Sequence, residues 1–297
     1  MPTIKKKKKT NNKKAINERK EFILNEDSPF AMQEAYKTLR TNVLFSAVGE
    51  ECKTVLITSS LQGEAKSTTA VNLALSFAQN GNKVLLIDGD LRLPTVASKL
   101  DRASSPGLTD VLVGQVTVGE ALVQMHNGLD FIPAGQLPPN PSELLGSTRM
   151  KRLLEGLAKR YEYIVIDTPP ICTVADAAIL SAYATGVILV VRQNVATKDS
   201  VSDAIQRLEL AEAKIMGFVF TDVTNEKLKS YKSSYGYGYG HVRAKAKNEK
   251  RHGHDGSADL YHRAVSEEKW LESFEDIGEV GQPRHEDRFS HTHTPED

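Results

Sequence analysis

The sequence predicts an α/β fold of three layers, with a mostly parallel sheet between two sets of helices. Two observations carry this. Short apolar runs recur between Lys53 and Thr221, and they are continuous rather than alternating, as strands buried on both faces require. Helical patterns lie between them, giving the strand–helix–strand rhythm of right-handed parallel crossovers. The strands in order are "TVLIT" (Thr54–Thr58), "KVLLID" (Lys83–Asp88), "LDFIP" (Leu129–Pro133), "YIVID" (Tyr163–Asp167), "GVILVVR" (Gly186–Arg192) and "IMGFVFT" (Ile215–Thr221). Helices are expected near Ser67–Gln79, Pro141–Arg160, Ala175–Tyr183 and Asp199–Ala211. Ahead of the first strand, "SPFAMQEAYKTLRTNVLFS" opens on a Ser-Pro entry signal and reads as an N-terminal helix within 29–49.

Charge divides the chain further. Acidic and basic residues balance at 38 each, yet Lys5 to Lys9, Lys13, Lys14, Arg19 and Lys20 crowd the start against the single acid Glu18. Such a run buries too little apolar surface to fold, so residues 1–28 read as a disordered basic arm. Residues 29–224 are the globular domain, 225–240 a flexible tyrosine-rich segment, and 241–297 a charged, histidine-rich tail. In that tail Ser266 and the acids after it fit a helix start, and Trp270, Phe274 and Ile277 share one face of a short helix at 266–278. The two cysteines, Cys52 and Cys172, have no metal-ligand spacing and suit a reduced, cytoplasmic setting. No stretch of about eighteen apolar residues exists to span a membrane.

The chemistry concentrates at strand ends. After the first strand comes "TSSLQGEAKSTTAVNLA", a tight loop with "AKST" opening a helix. Backbone amides there, with a helix N-terminus, hold phosphates. The candidate nucleotide-binding residues are Gly63, Glu64, Ala65, Lys66, Ser67 and Thr68. Lys66 would reach the β- and γ-phosphates of ATP, Ser67 would ligate Mg²⁺, and Thr68 would approach the α-phosphate. The strict pattern GxxxxGK[ST] fails at both glycines, where Ser60 and Ala65 stand. An alanine before the lysine is tolerated if its φ is negative and costs about 1 kcal/mol or more if φ is positive. Two further strands end in acids, "VLLIDGDLR" in Asp88 and Asp90, and "YIVIDTPP" in Asp167. Parallel strands present their carboxyl ends along one edge, so the three carboxylates are expected to converge on the phosphate loop. The domain is thus expected to have the P-loop NTPase fold.

These residues carry a resemblance. "DGDLR" is similar to the second Walker motif (Asp-x-Asp-x-Arg) of the bacterial tyrosine kinases. "GEAKSTTAVNLA", "PAGQLPPNPSELL" and "IDTPP" resemble the same family, over about Pro29 to Gly240. Nine tyrosines occur in the chain, and Tyr231, Tyr235, Tyr237 and Tyr239 fall within "YKSSYGYGYG", similar to the autophosphorylated tail of that family. The resemblance implies a protein-tyrosine kinase acting on its own tail in trans, in capsule or exopolysaccharide synthesis. It implies Lys66 as the phosphate lysine, and Ser67, Asp90 and Asp167 as Mg²⁺ ligands. Asp88 would be the base that receives the tyrosine proton, and Arg92 would order its loop. The family's Glu-x-x-Arg-x-x-Arg helix, used between subunits of a ring, reads here Glu34, Lys37, Arg40, which loses one bidentate fork. The implied partners are a membrane-embedded polysaccharide chain-length adaptor as activator, a counteracting tyrosine phosphatase and copies of the chain itself.

The tails leave alternatives open. The basic arm suits anionic lipid at the inner membrane face, where each basic residue contributes about 1 kcal/mol, or serves solubility alone. No recognisable motif favours nucleic acid. Two rival functions stand beside the kinase: an ATPase switch of the partition or septum-site type, and a non-catalytic nucleotide-binding regulator. The first carries a second lysine early in its loop, where this chain has Leu61.

Overall fold

In the computed structural model, residues 22–223 are described apart from 48, 50, 51, 126 and 127. The tyrosine cluster, the histidine-rich tail, the 266–278 helix and most of the basic arm lie outside the described residues.

The chain runs through α1 (Phe30–Ser46), β1 (Lys53–Ser59), α2 (Lys66–Ala78), β2 (Val84–Asp88), α3 (Val96–Leu100), α4 (Leu108–Leu112), α5 (Val118–Ala121), β3 (Val123–Gln124), β4 (Leu129–Ile132), α6 (Pro141–Leu145), α7 (Thr148–Ala158), β5 (Tyr163–Asp167), α8 (Asp176–Ser181), β6 (Gly186–Arg192), α9 (Lys198–Leu210) and β7 (Ile215–Thr221). The strands form one sheet in the order β3-β4-β2-β5-β1-β6-β7. All its pairings are parallel except β3 with β4. β1, β2, β5 and β6 are buried on both faces and two cores result, whereas β7, expected to be buried likewise, is an edge strand that leaves Phe218 and Phe220 exposed. Leu56, Leu85, Ile164 and Leu189 face the layer of α4 and α6 to α9. Val55, Leu86, Val165 and Val190 face α1, α2 and α3.

Two expectations need correction. The helix anticipated over Pro141–Arg160 is two helices: α6 ends at Leu145, and Ser147 starts α7 by accepting a hydrogen bond from the Met150 amide. A serine that caps a backbone amide is a start signal, and it was hidden inside a long apolar period. The packed chain also begins before Pro29. Leu24 is buried, its amide donates to Asn72 Oδ1 at 2.8 Å, and Asn72 Nδ2 donates to the Phe22 carbonyl at 2.8 Å. A buried amide side chain satisfied by backbone on both sides fixes this strap on α2. Residues 22–28 therefore belong to the domain.

Candidate active site

The loop from β1 to α2 is braced from below by Glu64. Its buried carboxylate accepts from Ser60 Oγ at 2.9 Å, the Leu61 amide at 2.7 Å and the Arg192 amide at 3.3 Å. The Glu64 side chain thus holds the loop's shape, so its place in a phosphate site would be through the backbone. Arg192 Nη1 also donates to the Gly63 carbonyl at 3.1 Å, and Thr221 Oγ1 to the Glu64 carbonyl at 3.1 Å. Ala65 precedes α2 at φ 69° and ψ 22°, the left-handed region. The backbone therefore adopts the turn that glycine usually serves, with alanine carrying the strain. The first amides of α2, from Lys66 onward, have no intrahelical acceptor and are available to an anion.

The three acids do converge. Asp88 on β2 stands in register with Asp167 on β5, and the Gly89 amide donates to the Asp167 carbonyl at 2.8 Å. A Cβ at Gly89 would lie 2.8 Å from that carbonyl, so only glycine lets the two strand ends approach this closely. Lys66 Nζ sits 2.9 Å from Asp90 Oδ2 and 3.5 Å from Asp167, with Ser67 Oγ at 3.2 Å. Asp88 is fully buried and accepts from the amides of Asp90 at 3.3 Å and Val96 at 3.1 Å. Burial first, then the charge of Asp167, pushes its pKa from 3.8 up to about 8. Burial raises Asp167 as well, against the pull of Lys66. Burial lowers the Lys66 pKa, but the charges of Asp167 and Asp90 outweigh it and raise it above its ordinary value.

The mutual repulsion that raises Asp88 and Asp167 is relieved by added positive charge, and a divalent cation beside Lys66 would supply it. Among the described residues no three His, Cys, Asp or Glu side chains form a cage for a metal. Mg²⁺ would be held here by Ser67, Asp90 or Asp167 together with phosphate oxygens and water, since it usually takes only one or two protein ligands. A cavity of about 750 Å³ opens over the loop. Gly63, Ala65, Lys66, Ser67, Thr68, Asp90 and Arg92 line it, with Arg192, Thr221 and Asp222 among its remaining walls.

Arg92 is held by a partner that the sequence did not announce. Its Nε and Nη2 donate to the two oxygens of buried Asp176 at 2.8 and 3.1 Å. Ser142 Oγ accepts from Arg92 at 2.9 Å and donates to Asp176 at 2.6 Å. The "PSELL" stretch thus takes part through its serine. The proposed ring contacts separate into two kinds. Glu34 and Lys37 pair with each other at the surface at 2.8 Å. Arg40 instead turns into its own fold, where Nη1 donates to the Ser76 carbonyl of α2 at 2.7 Å. That carbonyl lies in the last turn of α2, where intrahelical donors run out.

The AAA-domain family model matches residues 52–217. The tyrosine-protein kinase YwqD of Bacillus subtilis is 44% identical over 68% of this chain and 84% of its own. A tyrosine-protein kinase CpsD of Streptococcus agalactiae is 36% identical over 69% of this chain and 88% of its own. Among solved structures, the kinase domain of the Escherichia coli tyrosine kinase ETK superposes with a TM-score of 0.62 at 31% identity, covering 73% of this chain and 87% of that one. The chimerical protein CapA2B2 gives the same TM-score at 35% identity, covering 65% and 85%. At this identity and coverage the kinship is not of fold alone, and the chain belongs to the bacterial tyrosine kinases.

Proposed function

We propose that the chain is an ATP- and Mg²⁺-dependent protein-tyrosine kinase whose principal substrate is its own cluster Tyr231, Tyr235, Tyr237 and Tyr239, presented in trans. The observation that carries this reading is the convergence of Asp88, Asp90 and Asp167 on Lys66. Phosphoryl transfer depends mainly on positioning and on neutralising charge. Lys66 and the α2 amides bind and orient the β- and γ-phosphates. Ser67, Asp90 and Asp167 would hold Mg²⁺, which would supply the remaining positive charge. Asp88 takes the phenolic proton of the incoming tyrosine, and its raised proton affinity brings it closer to a phenol than an ordinary carboxylate would be.

The wider role follows from the family. The kinase would serve capsular or exopolysaccharide synthesis and export, be activated by a membrane-embedded chain-length adaptor, and be reversed by a tyrosine phosphatase. Glu34 and Lys37 would contribute to a ring of copies, with Arg40 supporting that helix from within. Among the described residues no helix is long and apolar enough to cross a membrane, so attachment at the inner face of the membrane would come from the adaptor and the Lys-rich arm.

Peptide mass spectrometry after incubation with Mg-ATP, with and without the adaptor's cytoplasmic segment, tests the reading. Phosphate on Tyr231 to Tyr239, lost in Lys66→Met by a factor of about 10² or more, is the expected result. Nucleotide hydrolysis with a bare tail would point to an ATPase switch instead, and binding without turnover to a silent regulator.

A further inference from the structure

We propose that the C-terminal segment 266–278, which lies outside the described residues, docks back on its own domain and seats Trp270, Phe274 and Ile277 against the exposed phenylalanines Phe218 and Phe220 of β7.

Strand β7 closes one side of the sheet, and among the described residues its only strand neighbour is β6. Phe218 stands in register with Leu189, and Phe220 with Val191. Leu189 and Val191 are buried with Ala204 and Leu208 of α9, so the core on this face stops one strand short of the edge. Phe218 is left 45% exposed and Phe220 66% exposed. Two residues apart, they share one face of the strand. Charges and prolines commonly guard such an edge, and "IMGFVFT" has neither. A covering segment would take their place.

The size of the surface selects the occupant. Two phenylalanines exposed to this degree offer about 200 Å² of ring surface, far below the roughly 800 Å² per partner that a free protein complex buries. A segment of the same chain needs less, because its tether supplies an effective concentration of about millimolar. The described chain ends at Val223, just beyond the last residue of β7, Thr221, so all that follows starts at this surface. The connection 224–265 has 42 residues and spans about 35 Å as a random chain, enough to return to the strand it left. Within the tail, "SEEKWLESFEDIG" supplies the matching face. Trp270, Phe274 and Ile277 recur at the spacing of one helix side, while Glu268, Glu272, Glu275 and Asp276 fall elsewhere around it. Docking would close residues 224–265 into a loop that contains Tyr231, Tyr235, Tyr237 and Tyr239.

Trp270 is the single tryptophan of the chain, so its fluorescence reports the contact in the full-length protein without any transfer of phosphate. The expected result is the emission of a shielded indole, unchanged on dilution. It should shift to that of a solvent-exposed indole, with stronger acrylamide quenching, in the double variant Phe218→Ser, Phe220→Ser. Phe274→Ser leaves the domain's own residues untouched and should give the same shift. In that variant hydrogen exchange across Ile215–Thr221 should also quicken, which locates the contact even if the double variant fails to fold. Exposed-indole emission in the unmodified chain overturns the proposal. So does shielding that survives the double substitution in folded protein, or equal exchange at β7 in Phe274→Ser. Shielding lost on dilution would assign the surface to a second copy, and that too overturns an intramolecular contact.

Discussion

Ala65 offers a test whose sign comes from the backbone alone. A left-handed φ of 69° costs a residue with a Cβ about 1–2 kcal/mol, whereas glycine there gives back about 0.4–1 kcal/mol through the entropy of the unfolded chain. The difference predicts that Ala65→Gly stabilises the domain by about 0.5–1 kcal/mol. For a domain of this size that raises Tm by about 1–4 °C. Ala65→Val runs the other way, since a β-branched side chain in this region is a true outlier and loses more than alanine. Thermal unfolding of the nucleotide-free chain in the order Gly above Ala above Val is the expected result. A lower Tm for Ala65→Gly would refute the reasoning, because it would mean that the Cβ makes contacts outweighing the strain. The same variant should bind nucleotide at least as tightly, as the amide of Lys66 that follows keeps its direction.

Three further perturbations address the site and its supports. Asp88 has a folded pKa of about 8 against an ordinary 3.8, so the folded state binds the extra proton between those values. Its contribution to stability is full below about pH 4 and is lost as pH rises through about 8, so Asp88→Asn should flatten the fall in Tm over that window in nucleotide-free protein, read by thermal scans at several pH values. Asn72→Ala leaves the buried Leu24 amide without its acceptor, a cost of about 1–3 kcal/mol. Faster hydrogen exchange at Leu24, with little change in the sheet, is the expected outcome. Arg92→Ala strands the carboxylate of Asp176, which has no exposed surface, but the arginine itself is 37% exposed. The usual cost of about 3–5 kcal/mol for a buried pair is therefore discounted to about 1–2 kcal/mol, a fall of several degrees in Tm. Arg92→Lys should recover only part of it, because a lysine cannot make the fork.

The sequence made the parallel order of the sheet and the convergence of acids legible because both are local signals. Each strand is a short apolar run and each acid stands at its end, so one rule about carboxyl edges places Asp88, Asp90 and Asp167 together before any coordinates exist. What escaped has the opposite character. Asp176 lies 84 residues from Arg92, and as an acid in the first turn of a helix it looks like an ordinary helix-start residue. Ser142 looks like part of a proline-rich turn until its hydroxyl is found between the two. Asn72 stands in the middle of α2, where an amide is usually turned to solvent, and nothing in its neighbours reveals that Phe22 and Leu24 return to it. The role of the Glu64 side chain escaped for a related reason: position in a phosphate loop argues for contact with phosphate, but a carboxylate there would repel one. That charge conflict was readable from the sequence, and it implies that an acid in such a loop must turn inward to donors such as the Ser60 hydroxyl and the Leu61 amide. The proposed catalytic groups are thus set by local pattern. The groups that hold them in place are set by distant packing, and the Arg92–Asp176 clamp is where the two meet, since it ties the loop that carries Asp90 to the start of α8 and, through Ser142, to α6.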